Sequence, residues 1–184
     1  MLIIVAGTSR SGKTTVAKRL CRARNISYWP FDSIISTLEN LYPETGLRHY
    51  DHNAEFSPKL AAFIGEFSKH LAYEDVDGVI DLYQLFPVDY KRVLDAYGIP
   101  IIYLRYPGLS AEEKLRDVKL HQRTVDWTND VGDMELLVIL NQFIAESRMM
   151  AEQCKTYKLP FFDTGEAFEE NIEKAVSYLL GSKR

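Results

Sequence analysis

The chain has 184 residues, of which 46% are hydrophobic and 26% charged, and its formal net charge is -4. This length predicts a single domain, residues 1–184, with a sizeable buried core. The acidic balance argues against non-specific nucleic-acid binding, which needs a basic surface, and no apolar run approaches the roughly 18 residues of a membrane span. We therefore expect a soluble, cytoplasmic protein that binds neither nucleic acid nor membrane.

Strand-like and helix-like segments alternate along the chain. The predicted strands are residues 2–6, 27–31, 78–82, 99–104 and 161–162. The predicted helices are residues 13–24, 33–41, a segment from Pro58, 87–97, one beginning at a Ser110/Glu113 capping box, 133–157 and 167–180. This alternation is typical of βαβ units, in which right-handed crossovers build a parallel sheet.

Residues 7–14, between the first strand and the first helix, fit the pattern G-x-x-x-x-G-K-[ST] at every fixed position. The glycines let the backbone curl, so that consecutive N–H groups form a nest for phosphate at a helix N-terminus. Lys13 would place a positive charge on the outer phosphates, and the Thr14 hydroxyl can complete a Mg²⁺ shell. The predicted nucleotide contacts are Gly7, Thr8, Ser9, Arg10, Ser11, Gly12, Lys13, Thr14 and Thr15.

The sequence GTSRSGKTT after MLIIVA resembles the P-loop of small-molecule and nucleoside or nucleotide kinases, the group that contains shikimate, gluconate and adenylate kinases. The resemblance implies a three-layer α/β fold with a five-stranded parallel sheet and a helical LID at about residues 107–131. It also implies ATP and Mg²⁺ as cofactors and a small hydroxylated acceptor. The adenylate-kinase segment Asp-Gly-Phe-Pro-Arg is absent after the third strand, which argues against a nucleoside monophosphate as the acceptor.

Two aspartates are candidates for the reacting centre. Asp32 follows the second strand and should face the crevice beyond the carboxyl ends of the strands, where open α/β sheets bind ligands. The resemblance to shikimate- and gluconate-type kinases implies that a carboxylate at this place contacts the acceptor hydroxyl. We therefore interpret Asp32 as the general base or the anchor of that hydroxyl; the alternative is an N-cap of a helix starting at Ser33. Asp81, near the end of the third strand, could bind Mg²⁺ or contact the acceptor, or it could simply pair with a lysine. Which aspartate is the base stays open.

Basic residues recur after the fourth strand. Arg116, Lys119 and Arg123 have the spacing of one helical face, which is often merely solvated. The resemblance implies that this segment is the LID, in which arginines clamp the phosphates. Arg116 and Arg123 are therefore predicted to be catalytic, because a guanidinium matches two phosphate oxygens at once.

Thr164 lies in the loop after the last strand, where the resemblance implies passage of the nucleotide base. An ordinary strand-to-helix turn is the alternative for this loop. For the whole chain, the alternatives to a small-molecule kinase are a nucleoside or nucleotide kinase proper and a nucleotide-binding regulator without turnover. The acceptor, the choice between ATP and GTP and the oligomeric state are not predicted.

Overall fold

The computed structural model describes residues 1–49 and 56–181. The strands are β1 (Leu2–Gly7), β2 (Ser27–Pro30), β3 (Gly78–Leu82), β4 (Ile101–Arg105) and β5 (Phe161–Asp163). They form one parallel sheet in the order β2-β3-β1-β4-β5. All six residues of the central β1 are buried, as expected for an apolar strand covered on both faces. The predicted five-stranded parallel sheet is confirmed.

Seven helical segments accompany the sheet in the described ranges. They are α1 (Lys13–Arg24), α2 (Phe31–Leu41), α3 (Phe56–Tyr73), α4 (Pro87–Asp89), α5 (Ala111–Leu120), α6 (Asp133–Tyr157) and α7 (Phe168–Gly181). After α4 the chain continues as a π-helical turn, Tyr90–Leu94, and a 3-10 turn, Asp95–Tyr97. Further 3-10 turns lie at Pro43–Thr45 and Trp127–Asp130. The capping box predicted at Ser110 and Glu113 is present at the start of α5.

The helices form a layer on each side of the sheet. Alternate residues of β1 point to opposite faces: Ile3 and Val5 pack with α1 and α7, whereas Ile4 and Ala6 pack with α2 and α3. A separate apolar cluster joins α5 to α6 and contains Tyr106, Ala111, Val118, Leu136, Leu140 and Ile144. The cores therefore hold the carboxyl ends of β1, β3 and β4 side by side, and this edge carries the residues discussed below.

The start of α2 differs from the prediction. The helix begins at Phe31 rather than Ser33, and Pro30 is its N-cap residue, so Asp32 lies in the first helical turn and is not an N-cap. Pro30 is tolerated at the end of β2 because this edge strand leaves one side of its backbone without a sheet partner. The capping alternative for Asp32 is wrong, which leaves its side chain available for other contacts.

The end of α5 also differs from the prediction. The helix ends at Leu120, so Arg123 does not share a helical face with Arg116. Past the helix, the Asp126 side chain accepts from the backbone N–H of Arg123 at 3.4 Å, and the Asn129 amide donates to the Arg123 carbonyl at 3.1 Å. Such side-chain bonds to the backbone compete with helical hydrogen bonds and favour a turn.

None of the helices described here combines the length and the apolarity needed to cross a membrane.

Candidate active site

The P-loop, residues 7–14, leaves β1 and ends in the first turn of α1. Gly12 is the N-cap residue of α1 with φ 92°, a left-handed conformation that favours glycine. At Gly7, a Cβ would lie 2.2 Å from the Leu104 carbonyl oxygen, so any residue other than glycine would clash with β4. Arg10 also has a positive φ, 62°, which is uncommon for a residue with a side chain. The loop thus has the tight backbone that the motif predicts.

Lys13 is buried at the start of α1. Its Nζ donates to the Thr8 carbonyl oxygen at 2.9 Å and lies 5.7 Å from the centre of the Tyr83 ring. Burial lowers the pKa of Lys13, while the nearby carboxylates of Asp81 and Asp32 raise it. The ammonium group is therefore bound to the P-loop backbone, within electrostatic reach of two acidic side chains.

Thr14 and Asp81 form a pair at the carboxyl end of β3. The Thr14 hydroxyl donates to Asp81 Oδ2 at 2.6 Å, and the Tyr28 hydroxyl donates to the same oxygen at 2.9 Å. Asp81 lies beside Val5 of β1 in the sheet register, and its Oδ1 is buried without a hydrogen-bond partner in the described structure. Hydroxyl and carboxylate oxygens are the ligands that Mg²⁺ prefers, so this pair fits that ion.

The Mg²⁺ would need further ligands from a bound phosphate chain. Within residues 1–49 and 56–181, no three His, Cys, Asp or Glu residues gather into a metal cluster. Mg²⁺ is usually held by one or two protein ligands together with substrate phosphates, which is the arrangement that this site would support.

Asp32, in the first turn of α2, is the second carboxylate near Lys13. Its Oδ1 accepts from the backbone N–H of Tyr83 at 3.3 Å, and the Tyr83 hydroxyl donates to Glu146 Oε2 at 2.8 Å. Burial raises the pKa of Asp32, against the opposing effect of Lys13, and burial also raises the pKa of Glu146. Tyr83 thus connects Asp32 and Glu146, two carboxyl groups that burial keeps protonated to higher pH than usual.

Sequence reasoning missed Tyr83 and Glu146. Tyr83 could have been found, because it directly follows β3 at the edge where ligands bind. Glu146 lies in the middle of α6, where a glutamate is ordinary, and no sequence signal distinguishes it.

The segment after β4 contacts the P-loop through side chains that the sequence did not single out. The Arg10 guanidinium pairs with Asp126 and donates to the Thr128 hydroxyl at 3.1 Å. The Lys114 ammonium donates to the Arg10 carbonyl at 2.9 Å, and the Tyr106 hydroxyl donates to the Ser9 carbonyl at 2.6 Å. The side chain and the backbone carbonyl of Arg10 therefore both bind the 107–131 segment.

The predicted arginines of this segment lie elsewhere. Arg116 is exposed on α5, and Arg123 is exposed beyond the end of that helix. Neither forms a hydrogen bond or an ion pair with a P-loop residue in the part of the chain that the structure describes. Their action on phosphate stays a prediction that requires the segment to move.

Thr164 is buried behind the P-loop. Its hydroxyl lies 3.0 Å from the Ser11 carbonyl oxygen and 3.1 Å from the Arg105 carbonyl oxygen, and its N–H donates to the latter. Thr164 therefore fastens the P-loop to the end of β4. A contact between Thr164 and a nucleotide base stays a prediction.

Comparison with known proteins identifies the fold. No known protein family matches this chain by sequence profile, and no curated protein sequence matches it. A solved shikimate kinase from Bacteroides thetaiotaomicron superposes with a TM-score of 0.60 at 18% identity, covering 97% of this chain and 96% of that chain. A sugar kinase from a Janibacter species gives 0.53 at 19% identity, with coverages of 97% and 93%.

A dephospho-CoA kinase from Campylobacter jejuni superposes with a TM-score of 0.51 at 13% identity, covering 97% of this chain and 95% of that chain. At such identities the similarity concerns the arrangement of helices and strands rather than individual side chains. The chain therefore has the fold of the P-loop kinases.

Proposed function

We propose that this protein transfers a phosphoryl group from ATP to a small hydroxylated acceptor. The observation that carries the proposal is the position of Lys13, buried near the carboxylates of Asp32 and Asp81, of which Asp81 also accepts from Thr14. Phosphoryl transfer needs charge neutralisation, alignment and a group that orients the attacking hydroxyl, and these residues supply each of them. The solved kinases of the same fold support this reaction class.

The P-loop would hold the phosphates. Its backbone N–H groups precede α1, whose N-terminus favours anions, and Lys13 adds a fixed charge. Thr14 and Asp81 would hold Mg²⁺, which when bound neutralises charge on the phosphates. Asp81 suits this role because Thr14 and Tyr28 orient its carboxylate.

Asp32 would orient or deprotonate the acceptor hydroxyl. Its side chain is only partly buried and has a single hydrogen bond to Tyr83 among its described contacts, so it retains lone pairs for a ligand. Its raised pKa suits a base better than that of an ordinary aspartate. A nucleotide-binding regulator without turnover would have no use for this carboxylate beside Lys13.

The 107–131 segment would act as a lid over the phosphates. We propose that its exposed arginines, Arg116 and Arg123, approach the transferred group when the segment closes. Closure would also exclude water, which competes with the acceptor.

The experiment is a measurement of ADP release by the full chain with ATP and Mg²⁺, with and without sugars, nucleosides and hydroxy acids. We expect release that depends on one class of acceptor and is lost in Asp32→Asn while ATP binding persists. ATP binding without acceptor-dependent release by any member of the panel would favour the regulator. A response to nucleosides alone would favour a nucleoside kinase proper.

A further inference from the structure

Arg105, the last residue of β4, lies directly beneath the P-loop and is fully buried. The preceding residue, Leu104, pairs with Gly7 in the sheet register, so β4 ends where the P-loop begins. The Arg105 carbonyl accepts from the N–H of Thr164, whose hydroxyl also reaches Ser11 of the P-loop. The backbone of Arg105 is therefore fixed to the P-loop from below.

The Arg105 side chain also reaches the P-loop. Its Nη1 lies 3.5 Å from the Thr8 hydroxyl oxygen, and the Thr8 carbonyl oxygen accepts from Lys13. Two positively charged side chains thus meet at one residue, since a guanidinium remains protonated even when burial lowers its pKa. Thr8 is itself fully buried, so neither contact is a surface contact.

The charge of Arg105 lacks a close acidic partner. No carboxylate forms an ion pair with it among the described residues, and its Nε and Nη2 atoms have no hydrogen-bond partner there. The groups that face it are the Tyr103 ring, 4.9 Å from Cζ, the Cys154 thiol and, at longer range, Glu146. A buried charge without an ion-pair partner is costly, and each such group in a native structure calls for an explanation.

We propose that Arg105 is a second cation of the phosphate site, a positioning residue that acts on bound polyphosphate through Thr8. The inference rests on the proposed function, because a phosphate chain in the P-loop supplies a negative charge close to Arg105, which forms no ion pair among the described residues. Lys13 contacts the phosphates directly, whereas Arg105 adds its field from behind the loop and keeps Thr8 in place.

The test compares binding of two probes, inorganic tripolyphosphate and adenosine, by isothermal titration calorimetry. Arg105→Met removes the charge and keeps an apolar stem, Arg105→Lys keeps the charge, and Cys154→Ala is the control for the packing around the guanidinium. We expect Arg105→Met to weaken tripolyphosphate binding by about tenfold, the scale of one charge interaction inside a protein. Arg105→Lys, titrated at about pH 6 so that a buried lysine keeps its proton, should bind tripolyphosphate more tightly than Arg105→Met, and Cys154→Ala should bind like the wild type.

Two controls separate electrostatics from folding. Adenosine affinity should be unchanged in Arg105→Met, and its melting temperature without ligand should equal or exceed that of the wild type, because an unmatched buried charge has been removed. If Arg105→Met does not fold, Arg105→Gln, which can still bond to Thr8, replaces it.

The outcomes also separate this inference from the proposed function. A wild-type protein that binds no tripolyphosphate would contradict both. Three results would overturn the role of Arg105 alone, provided that the wild type binds tripolyphosphate. Arg105→Met could bind tripolyphosphate as tightly as the wild type, or Arg105→Met and Arg105→Lys could weaken its binding equally. Arg105→Met could also weaken adenosine binding to the same extent as tripolyphosphate binding.

Discussion

The P-loop and the 107–131 segment contact each other, but different interactions determine their positions. The P-loop is fixed by its own backbone, through Gly7 and Gly12, and by the strand ends directly beneath it. The 107–131 segment is fixed by apolar packing of α5 on α6 and by the pair that Asp126 forms with Arg10. A short motif therefore predicts the geometry of the first region, whereas the side-chain roles of the second depend on how distant elements pack.

The largest effect is expected in the P-loop. Lys13→Ala should abolish acceptor-dependent transfer, because the phosphates lose the fixed charge nearest to them. Arg22→Ala, which removes an exposed cation from the same helix, is the matched control and should keep the wild-type rate. Steady-state rates together with circular dichroism check both variants. Near-normal turnover by a folded Lys13→Ala protein would contradict the role of Lys13 in binding the phosphates.

The 107–131 segment provides the second prediction. Arg116→Ala and Arg123→Ala should lower kcat more than nucleotide affinity, by up to about 10³-fold, if the arginines act on charge that develops during transfer. Lys119→Ala is the control on the same helix, since Lys119 pairs with Asp133. A change in kcat below about threefold in both variants would mean that the arginines are only solvated surface residues, because a positioned arginine changes the rate far more.

Substitutions of Asp32 and Asp81 should impair different steps of the reaction. Asp32→Asn retains an oxygen to accept from Tyr83 and should keep ATP affinity while transfer falls by about 10²-fold, the usual scale for a positioned base. Asp81→Asn should instead raise the Mg²⁺ concentration needed for activity, because it alters the partner of Thr14. Titrations of ATP and Mg²⁺ distinguish the variants. The same Mg²⁺ requirement in both would contradict the division of roles.

The pH profile tests the same carboxylate. Because burial raises the pKa of Asp32, its protonated form persists to higher pH than in an ordinary aspartate. A base must be ionised, so kcat should fall as pH falls through this pKa, and the acid limb should lie above the usual aspartate range. The limb should disappear in Asp32→Asn. An unchanged limb in that variant would assign the titration to another group.

The smallest expected effect concerns the start of α5. Ser110→Ala removes the side chain that accepts from the Glu113 N–H and should destabilise the helix by about 1 kcal/mol. Hydrogen exchange of α5 amides measures this loss. Ser110→Asp, which can still cap the helix, should largely restore protection. Equal exchange in the wild type and Ser110→Ala would mean that the packing on α6, rather than the cap, sets the stability of α5.

The sequence predicted the sheet, the order of elements and the P-loop because each depends on local patterns. Burial of β1 follows from its continuous apolar run, and the turn at Gly12 follows from the motif. Asp32 was placed on the correct edge, since a residue at the end of a parallel strand must lie there.

The remaining site residues could not be predicted in the same way. Arg123 was assigned by helical spacing, but side chains from residues beyond α5 hold its backbone in a turn. Tyr83, Glu146 and Arg105 reach the site only because β3, α6 and β4 meet at one edge of the sheet. Their positions follow from tertiary contacts, which no single segment of the sequence contains.

The central claim is that the γ-phosphoryl group of ATP passes to an acceptor hydroxyl, and product analysis tests it most directly. The wild-type protein is incubated with Mg²⁺, γ-labelled ATP and the acceptor panel, and the products are separated by mass spectrometry. We predict label on one class of acceptor with the wild type and none with Lys13→Ala. Label released only as inorganic phosphate, or retained in ATP with every acceptor, would contradict the claim.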